Sequence, residues 1–394
     1  MEESRNDASD RNRTQDGVHA LVPREQMTAA AVKLRDTYAI TPGAPFLKRE
    51  FGYYCLEAWY EQGLPKDADL AAFFDYDPAG NYNLGQLGWC EAAFVPAFEV
   101  EVVEDRGDYE VERDVAGRHV LYFKGRRNGF MPEYVEHPVK NRQTWEDDVK
   151  WRLDPASAER YADLDVRVEQ AKREASHGMI VVQNLIGGYM YLRSLIGPAD
   201  LLYLFCEAPD LIHDCMQAWF ALADAVIARH QEHLTIDEIF FAEDICYNRG
   251  PLISPDMMRE FLLPYYQQLI ENLKARQIDK QRHVYVQIDT DGFAYPVIPF
   301  YREIGMDVMS PFEVAAGCDV VEIGKQYPDL VISGGIDKRV LATTKDEIDK
   351  HVEYILPAMR KRGGYTPTCD HGVPAEVSLD NYLHYRKRCV ELGG

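Results

Sequence analysis

Six short apolar segments, each followed at once by polar residues, constrain the fold of this 394-residue chain more than any other feature. They are MIVVQN at 179–184, EIFFAED at 238–244, HVYVQIDTDG at 283–292, DVMSPFE at 307–313, LVISGGID at 330–337 and GYTPTCDH at 364–371. Segments with helical periodicity separate them, and strands that alternate with helices pair in parallel. Polar residues collected at the carboxyl ends of such strands predict an α/β fold, a (β/α)8 TIM barrel with its site at that face. The alternative is that strand ends are polar merely because strands leave the core there.

The chain ahead of these strands has a different pattern. Residues 98–124 alternate apolar and polar positions in three runs separated by Arg-Gly and Ala-Gly turns, which predicts a three-stranded antiparallel meander. Residues 1–24 are charged and short of large apolar residues, so we expect them to be disordered. We therefore divide the chain into that segment, an N-terminal extension at 25–160 with helices and the meander, and the barrel at 161–394. The extension is expected to pack on the barrel as one unit.

Composition excludes several classes of function. A net charge of -22 and a pI near 4.9 argue against nucleic acid or an anionic membrane as the main partner, because both need a basic face. The eight cysteines show no CxxC spacing, which favours reduced thiols in the cytoplasm. The sequence shows no signal-like start and no apolar run of about 18 residues, so we expect a soluble protein.

Several segments together resemble the uroporphyrinogen decarboxylase superfamily, in particular its branch of cobalamin-dependent methyltransferase-like proteins. The matching segments are FAEDICYNRGPLISPDMMREFLLPYY at 241–266, QIDTDG at 287–292, GMDVMSPFE at 305–313, SGGID at 333–337 and GGYTPTCDHGVPAEVSLDN at 363–381. The resemblance runs from about residue 180 to the C-terminus, with weaker similarity back to about residue 45. It implies a barrel enzyme that moves a methyl group from a methylated small molecule, such as a methyl ether, to a corrinoid on a separate carrier protein.

One departure from the family pattern concerns metal binding. Family members that act on a thiol bind zinc through a His-x-Cys pair and a later Cys, whereas this chain has Asp289-Thr290-Asp291 and, at the later position, Cys369 or His371. Residues two apart on an extended segment point the same way, so Asp289 and Asp291 could hold a zinc ion together with Cys369 or His371. Such harder ligands favour polarising an oxygen. The alternative, left open, is that both aspartates cap the next helix or hold a substrate hydroxyl.

The remaining candidate site residues also follow the strands. Glu243 and Asp244 are adjacent carboxylates, and one of such a pair can have a raised pKa that suits a general acid. The alternative is that Asp244 pairs with an arginine such as Arg249. Asp291 is the third candidate catalytic residue. The candidates for substrate binding are Gln183, Asn184, Asn248, Gln287, Glu313 and Asp337.

Three further features favour structural roles over functional ones. His230 and His233 stand in a charged helical stretch, which favours a solvated helix face over a metal site. Gly187-Gly188 could bind an anion at a helix start, but a tight turn is the simpler reading. A group of aromatic residues either lines the mouth of the site or, more simply, attaches the extension to the barrel; it comprises Tyr53, Tyr54, Trp59, Phe73, Phe74 and Trp89.

The sequence thus predicts a methyltransferase that uses a corrinoid on a partner protein; zinc binding and a homodimer are left open. The first alternative is a decarboxylase of a tetrapyrrole or another polycarboxylate. Family decarboxylases carry an Arg-containing motif near the N-terminus, and the first 60 residues lack one. That alternative needs convergent cations at the barrel mouth, for which the chain offers Arg193, Arg249, Lys338 and Arg339. The second alternative is a non-catalytic corrinoid- or porphyrin-binding protein.

Overall fold

The structure is a computed structural model that describes residues 21–125 and 132–394. The strands, in chain order, are β1 (Asn81–Asn83), β2 (Glu101–Arg106), β3 (Tyr109–Arg113), β4 (His119–Phe123), β5 (Glu133–Glu136), β6 (Ile180–Ile186), β7 (Glu238–Ala242), β8 (Cys246–Tyr247), β9 (Gly250–Pro251), β10 (Tyr285–Thr290), β11 (Val308–Pro311), β12 (Val331–Ser333) and β13 (Tyr365–Thr366).

The α-helices, in chain order, are α1 (Ala29–Tyr38), α2 (Leu56–Glu61), α3 (Leu70–Phe73), α4 (Arg142–Thr144), α5 (Leu164–Ser176), α6 (Gly188–Ile196), α7 (Pro198–Glu207), α8 (Pro209–Gln231), α9 (Pro255–Phe261), α10 (Leu263–Arg276), α11 (Ile298–Arg302), α12 (Val320–Gln326), α13 (Lys338–Leu341), α14 (Lys345–Arg362) and α15 (Leu379–Gly393). Short 3-10 turns lie at Arg24–Gln26, Lys150–Leu153, Ala158–Tyr161, Tyr295–Val297 and Val314–Ala316, and a π-helical turn lies at Trp145–Val149.

The main sheet confirms the predicted barrel-like α/β fold. Within the described residues it has seven parallel strands in the order β1-β6-β7-β10-β11-β12-β13. The six segments predicted from the sequence all lie in it, in chain order, with helices between consecutive strands. Their carboxyl ends therefore share one face of the curled sheet.

The predicted boundary at residue 160 does not separate barrel from extension. β1, which lies inside the predicted extension, pairs in parallel with Ile180–Val182 of β6. A parallel bridge also joins Tyr53 to Val373, beyond the opposite edge strand β13. The first third of the chain therefore supplies wall to the barrel.

The predicted meander is present and larger than expected. β2, β3 and β4 pair antiparallel as predicted, and β5 adds a further strand to the edge of β4. The sequence pattern gave no signal for β5 because only four residues, Glu133–Glu136, form it. Of the predicted disordered segment, residues 1–20 lie outside the described residues, and Arg24 begins a 3-10 turn.

The barrel interior changes from apolar to polar along the strands. Ile180, Val182, Val308 and Val331 form one buried cluster with α1, whose Leu34 packs among them. Because alternate strand residues point to opposite sides, Asn184 and Ser310 face the same interior two positions further along, and Asp289 faces it beside Ser310. The apolar layer closes the amino end of the barrel, and the polar layer lies at the carboxyl end.

Two helical features follow from the sequence. The Pro255–Arg276 region breaks at Leu262, between α9 and α10, because Pro264 in the first turn of α10 cannot donate a backbone hydrogen bond. α8 is long and apolar enough by composition to cross a bilayer, and half of its most apolar window is buried. Trp219 of α8 donates to the Ile186 carbonyl of β6 at 2.8 Å, so this apolar side packs against the sheet.

Candidate active site

A cavity of about 480 Å³ opens at the carboxyl ends of β7 and β10. Its lining includes four carboxylates, those of Glu243, Asp244, Asp289 and Asp291. Helix α6 contributes Arg193 to the lining. Cavities of this size bind small molecules, and this end of a barrel is where enzymes of this architecture place their sites.

Asp289 and Asp291 hold protons more tightly than ordinary aspartates. Ser310 of β11 donates to Asp289 Oδ2 at 2.5 Å, but burial outweighs this bond and raises the pKa of Asp289 to about 6. Burial, and then repulsion from Asp244, raises the pKa of Asp291 to about 8. Asp291 is therefore mostly protonated at neutral pH, which is the state that a general acid needs.

His371 is a basic side chain that lies beside Asp291. Its Nε2 lies 3.5 Å from Asp291 Oδ2, and its ring stacks against Tyr54 with centroids 5.6 Å apart. Burial lowers the pKa of His371, so the ring is neutral at pH 7. A neutral imidazole beside a protonated carboxyl can exchange a proton with it, and His371 is 26% exposed and so reaches solvent.

Glu243 is held by the helices behind β7. Its Oε2 accepts from the Tyr266 hydroxyl at 2.6 Å, and its Oε1 accepts from the Tyr189 N–H at 3.0 Å in the first turn of α6. Gly187 makes room for it, since a Cβ there would lie 2.2 Å from Glu243 Oε2. Gly187-Gly188 is thus a turn that receives an internal carboxylate at a helix start. Burial raises the pKa of Glu243 to about 7. Its two carboxylate oxygens accept hydrogen bonds from α6 and α10, so Glu243 links β7 to these helices.

Asp244 pairs with an arginine, as one of the two predicted alternatives stated, but the partner is Arg193. Arg193 Nη2 lies 2.5 Å from Asp244 Oδ2. The backbone of Asp244 has a positive φ of 42°, a conformation uncommon outside glycine, which turns the residue toward the cavity. Arg249, the partner suggested from sequence, is exposed.

Three of the four predicted zinc ligands reach one cavity, but the described residues do not form a metal-binding cluster there. Asp289, Asp291 and His371 line the same cavity, but the Cys369 side chain is fully buried and does not. The Cys369 N–H donates to Glu50 at 2.7 Å, and burial raises the pKa of its thiol well above the usual range. Across 21–125 and 132–394, no group of three His, Cys, Asp or Glu side chains has a geometry that could hold a metal ion. The side chains present do not fit a zinc site.

Two of the predicted substrate-binding residues lie inside the barrel wall or below the cavity. Gln183 points away from the interior, and its Oε1 is 2.8 Å from His230 Nδ1, so it joins β6 to α8. His230 is fully buried there, which corrects the predicted solvated face. Gln287 lies in the interior beneath Asp289 and donates to Ser310 at 3.1 Å, so it supports the site from below.

The other predicted substrate-binding residues do not line the cavity either. Asn184 is buried with its Oδ1 unpaired among the described residues, and Asn248 is exposed on the β8–β9 turn. Asp337 caps α13 and pairs with Arg339 at 2.8 Å. Glu313 accepts from the Gly292 N–H at 3.0 Å, and so fixes the loop that carries Asp291.

Part of the cavity lining comes from residues that no sequence motif indicated. The meander region supplies Arg118, Tyr134 and His137, and Arg118 is neutralised by Asp114 at 2.7 Å. These residues have no strand-end signal, because they come from the part of the chain predicted to be an extension. Arg193, suggested by the sequence as a cation for the decarboxylase alternative, lines the cavity as the partner of Asp244.

The aromatic residues that precede the barrel strands fill both predicted roles, since some line the cavity and others attach the N-terminal segment to the barrel. Tyr54 and Trp89 line the cavity and are 47% and 43% exposed, and Trp89 stacks on Phe240 of β7 at 4.9 Å. Trp59 and Phe74 are buried and contact each other, so they attach the N-terminal segment to the barrel. The exposed aromatic faces form one side of the cavity mouth.

Comparison with known proteins agrees with this architecture. The uroporphyrinogen decarboxylase (URO-D) family model matches residues 132–391, about two-thirds of the chain. The uroporphyrinogen decarboxylase of Hydrogenobaculum sp. is 29% identical over 106 residues, which are 24% of this chain and 29% of that protein. The uroporphyrinogen decarboxylase of Geobacter metallireducens is 25% identical over 186 residues, 44% of this chain and 49% of that protein. These matches thus span less than half of the relatives' length.

A solved methyltransferase from Methanosarcina mazei superposes with a TM-score of 0.56 at 14% identity, over 93% of this chain and 99% of that one. Identity this low establishes a shared fold and nothing finer. The family match covers the strands β6 to β13, whose carboxyl ends carry the four carboxylates. This chain belongs to the uroporphyrinogen decarboxylase family.

Proposed function

We propose that this protein is a methyltransferase that removes a methyl group from an oxygen of a small donor and delivers it to a corrinoid on a separate carrier protein. The observation that carries the proposal is the position of Asp291, which lines the cavity 3.5 Å from His371 and whose pKa burial raises to about 8, so that it holds a proton there at neutral pH. An alkoxide or phenolate is a poor leaving group, and an acid that protonates the oxygen as the C–O bond breaks lowers that barrier.

The residues around Asp291 would divide the work. Asp291 donates its proton to the leaving oxygen, and the product leaves as a neutral alcohol or phenol. His371, 3.5 Å away and partly exposed, passes a proton from solvent back to Asp291, because its ring takes up a proton on one nitrogen as it releases one from the other. Arg193 balances the charge of Asp244, and the proton on Asp291 removes a second negative charge from the cavity.

The mouth of the cavity fits a flat, largely apolar partner group. Tyr54 and Trp89 expose aromatic faces there, beside the carboxylates. When bound, the reduced corrinoid would supply the nucleophile for the methyl group. The chain's own contribution is to position the donor and to hold the proton.

The decarboxylase alternative draws support from the names of the curated relatives, but the cavity charges oppose it. A polycarboxylate needs free cations, whereas Arg193 is paired with Asp244, and Arg118 is paired with Asp114. Lys338, a third cation suggested for this role, pairs with Glu313 at 3.1 Å and does not line the cavity. A substrate rich in carboxylates would therefore meet four acidic groups with few unpaired cations.

Two assays separate these functions. Reduced cobalamin is incubated anaerobically with a panel of methoxylated compounds, and the spectrum reports whether the cofactor becomes methylated. In parallel, the protein is incubated with uroporphyrinogen and the porphyrins are analysed. Methylation with at least one donor, and no loss of carboxyl groups from uroporphyrinogen, is the expected result. Decarboxylation without methyl transfer would refute the proposal.

A further inference from the structure

Lys338 lies behind the candidate active site and contacts carboxylates from two different strand ends. It is the first residue of α13, which follows β12, and its side chain is 20% exposed. Its Nζ donates to Glu313 Oε1 at 3.1 Å and lies 3.4 Å from Asp370 Oδ1. Glu313 follows β11, and Asp370 follows β13. One ammonium group therefore joins the segments that follow three neighbouring strands of the barrel.

Glu313 connects Lys338 to the loop that carries Asp291. While Glu313 Oε1 accepts from Lys338, Glu313 Oε2 accepts from the Gly292 N–H at 3.0 Å. Gly292 follows Asp291 directly in the chain. Both oxygens of this carboxylate are engaged, one by a cation and the other by the backbone. The position of the Asp291 loop thus depends on a carboxylate that Lys338 holds.

Asp370 connects Lys338 to His371 in the same way. The Asp370 side chain is fully buried, and its Oδ2 accepts from the Val314 N–H at 2.9 Å. Its Oδ1 accepts from the Lys338 N–H at 3.2 Å. His371 is the next residue in the chain, and its Nε2 lies 3.5 Å from Asp291 Oδ2. Lys338 is therefore linked to both members of this pair, to each through one carboxylate.

Two carboxylates of this cluster share a single cation. In the described part of the chain, Glu313 and Asp370 form ion pairs with Lys338 alone. The neighbouring Asp337 is balanced by Arg339 at 2.8 Å. Burial raises the pKa of Asp370, and Lys338 opposes that rise. Without Lys338, a fully buried carboxylate would have no cation partner, which is strongly unfavourable, so the carboxylates would have to take up a proton or move.

We propose that Lys338 is a positioning residue for proton transfer between Asp291 and His371, and that it sets the distance between these two side chains. The role rests on the function proposed above, in which Asp291 protonates the leaving oxygen and His371 returns the proton. Lys338 itself neither gives nor takes a proton. It does not line the cavity, so its effect passes through Glu313 and Asp370.

Substitution of Lys338 tests the proposal in the methyl-transfer assay. Lys338→Met keeps a long unbranched side chain but removes the charge. Its kcat should fall about 10- to 100-fold, because a shift of about 1 Å in a reacting group costs up to about 10²-fold in rate. KM should stay nearly the same, since Lys338 does not line the cavity. Lys338→Arg should retain most of the activity, because a guanidinium can also bind two carboxylates.

The pH profile distinguishes positioning from a general loss of structure. Burial raises the pKa of Asp291, three carboxylates raise it further and one cation lowers it; in order of effect these groups are Asp244, Glu313, Asp289 and Lys338. The neighbouring His371 is neutral because burial lowers its pKa, and Arg193 is paired with Asp244. In Lys338→Met the pKa of Asp291 should therefore rise. The rate should then fall at a higher pH than in the native protein.

Amide hydrogen exchange tests the same contacts without any activity. The Gly292 and Val314 N–H groups donate to the two carboxylates that Lys338 holds, so both should exchange faster in Lys338→Met. The Val182 N–H of β6, in the apolar layer at the other end of the barrel, should exchange as in the native protein. Glu313→Gln serves if Lys338→Met does not fold, because it breaks the link to Gly292 and leaves Asp370 paired.

The outcomes separate this inference from the proposed function. Lys325→Met is the matched control, because Lys325 is 67% exposed on α12, pairs with Glu322 and lies outside the cluster. If the native protein methylates cobalamin with no donor, the proposed function fails, and the exchange rates still decide whether Lys338 holds the two loops. Unchanged exchange, an unchanged kcat or pH profile in an active Lys338→Met protein, or an equal loss in Lys325→Met would overturn the role of Lys338.

Discussion

Replacing Asp291 by Asn tests whether this residue is the proton donor. Asparagine has the shape of a protonated aspartic acid but cannot release a proton, so donor binding should persist while methyl transfer slows. General acids contribute about 10²–10⁴ in rate, and we expect a loss of that size in kcat with little change in KM. Since the Gly292 N–H that donates to Glu313 fixes the loop next to Asp291, the variant should fold normally.

The pH dependence gives the second half of this test. With a pKa of about 8, roughly nine-tenths of the Asp291 side chains are protonated at pH 7 and roughly one-tenth at pH 9. Only the protonated form can donate, so the rate should be flat below about pH 7 and should fall tenfold per unit well above pH 8. This alkaline limb should be absent from Asp291→Asn, whose residual rate has no acid to lose.

The methyl donor can be varied as well as the protein. A methyl ether of a nitrophenol has a leaving group that needs little protonation, so Asp291→Asn should lose much less activity with it than with an ether of an unactivated alcohol. Asp380→Asn, at a 77% exposed position that pairs with Lys345 on α14, is the control and should behave as the native protein. An equal loss with both donors, a loss confined to KM, or an alkaline limb that survives in Asp291→Asn would each contradict the role.

Three other substitutions probe the surroundings of the site. Gly187→Ala places a methyl group against the Glu243 carboxylate and should lower the free energy of unfolding by about 1–3 kcal/mol in urea titration; an unchanged midpoint would contradict this packing. Glu238 is buried and accepts a hydrogen bond from Tyr38, and burial raises its pKa from 4.5 to about 7. The protonated carboxyl therefore stabilises the folded state fully below about pH 4.5, and this stabilisation is lost as the pH rises through 7. The stability of native protein relative to Glu238→Gln should therefore fall by about 3 kcal/mol over that window, and a constant difference would show that the carboxyl is not titrating there. Arg193→Gln removes the cation that balances Asp244, and the uncompensated charge of Asp244 should raise the pKa of Asp291 further. The alkaline limb of the rate profile should therefore move to higher pH, and a shift to lower pH would contradict the repulsion between Asp244 and Asp291.

The sequence predicted the strands well because their signal is local. Each of the six segments combines a run of apolar residues with a polar end. An apolar run of this length is the pattern of a strand that is buried in a parallel sheet, so the prediction needs no information from distant residues. β1 escaped prediction because Asn81–Asn83 has no apolar pattern and forms a strand only through its pairing with β6. The break at Pro264 was predicted, since proline acts on its own backbone.

The site was predicted less completely, because its chemistry depends on neighbours distant in sequence. Gln183 and Asn184 are adjacent and point to opposite sides of β6, and sequence alone did not tell which faces the barrel. The pairing of Asp244 with Arg193 joins residues 51 apart. Either Cys369 or His371 could fill the family position for a metal ligand by order in the chain, yet only His371 lines the cavity, because the Cys369 thiol is buried.

The four carboxylates of the cavity affect one another's ionisation. Four ionised groups so close together would repel strongly, and the structure relieves this in three ways. Asp244 has a guanidinium at 2.5 Å that balances its charge. Glu243 is enclosed by donors from α6 and α10. Among the residues that the structure describes, no lysine or arginine forms an ion pair with Asp289 or Asp291, and burial raises their pKa values to about 6 and about 8. The side chain with the highest of these pKa values is Asp291, which lines the cavity beside His371, so the burial and repulsion that hold its proton would supply the acid that the proposed ether cleavage needs.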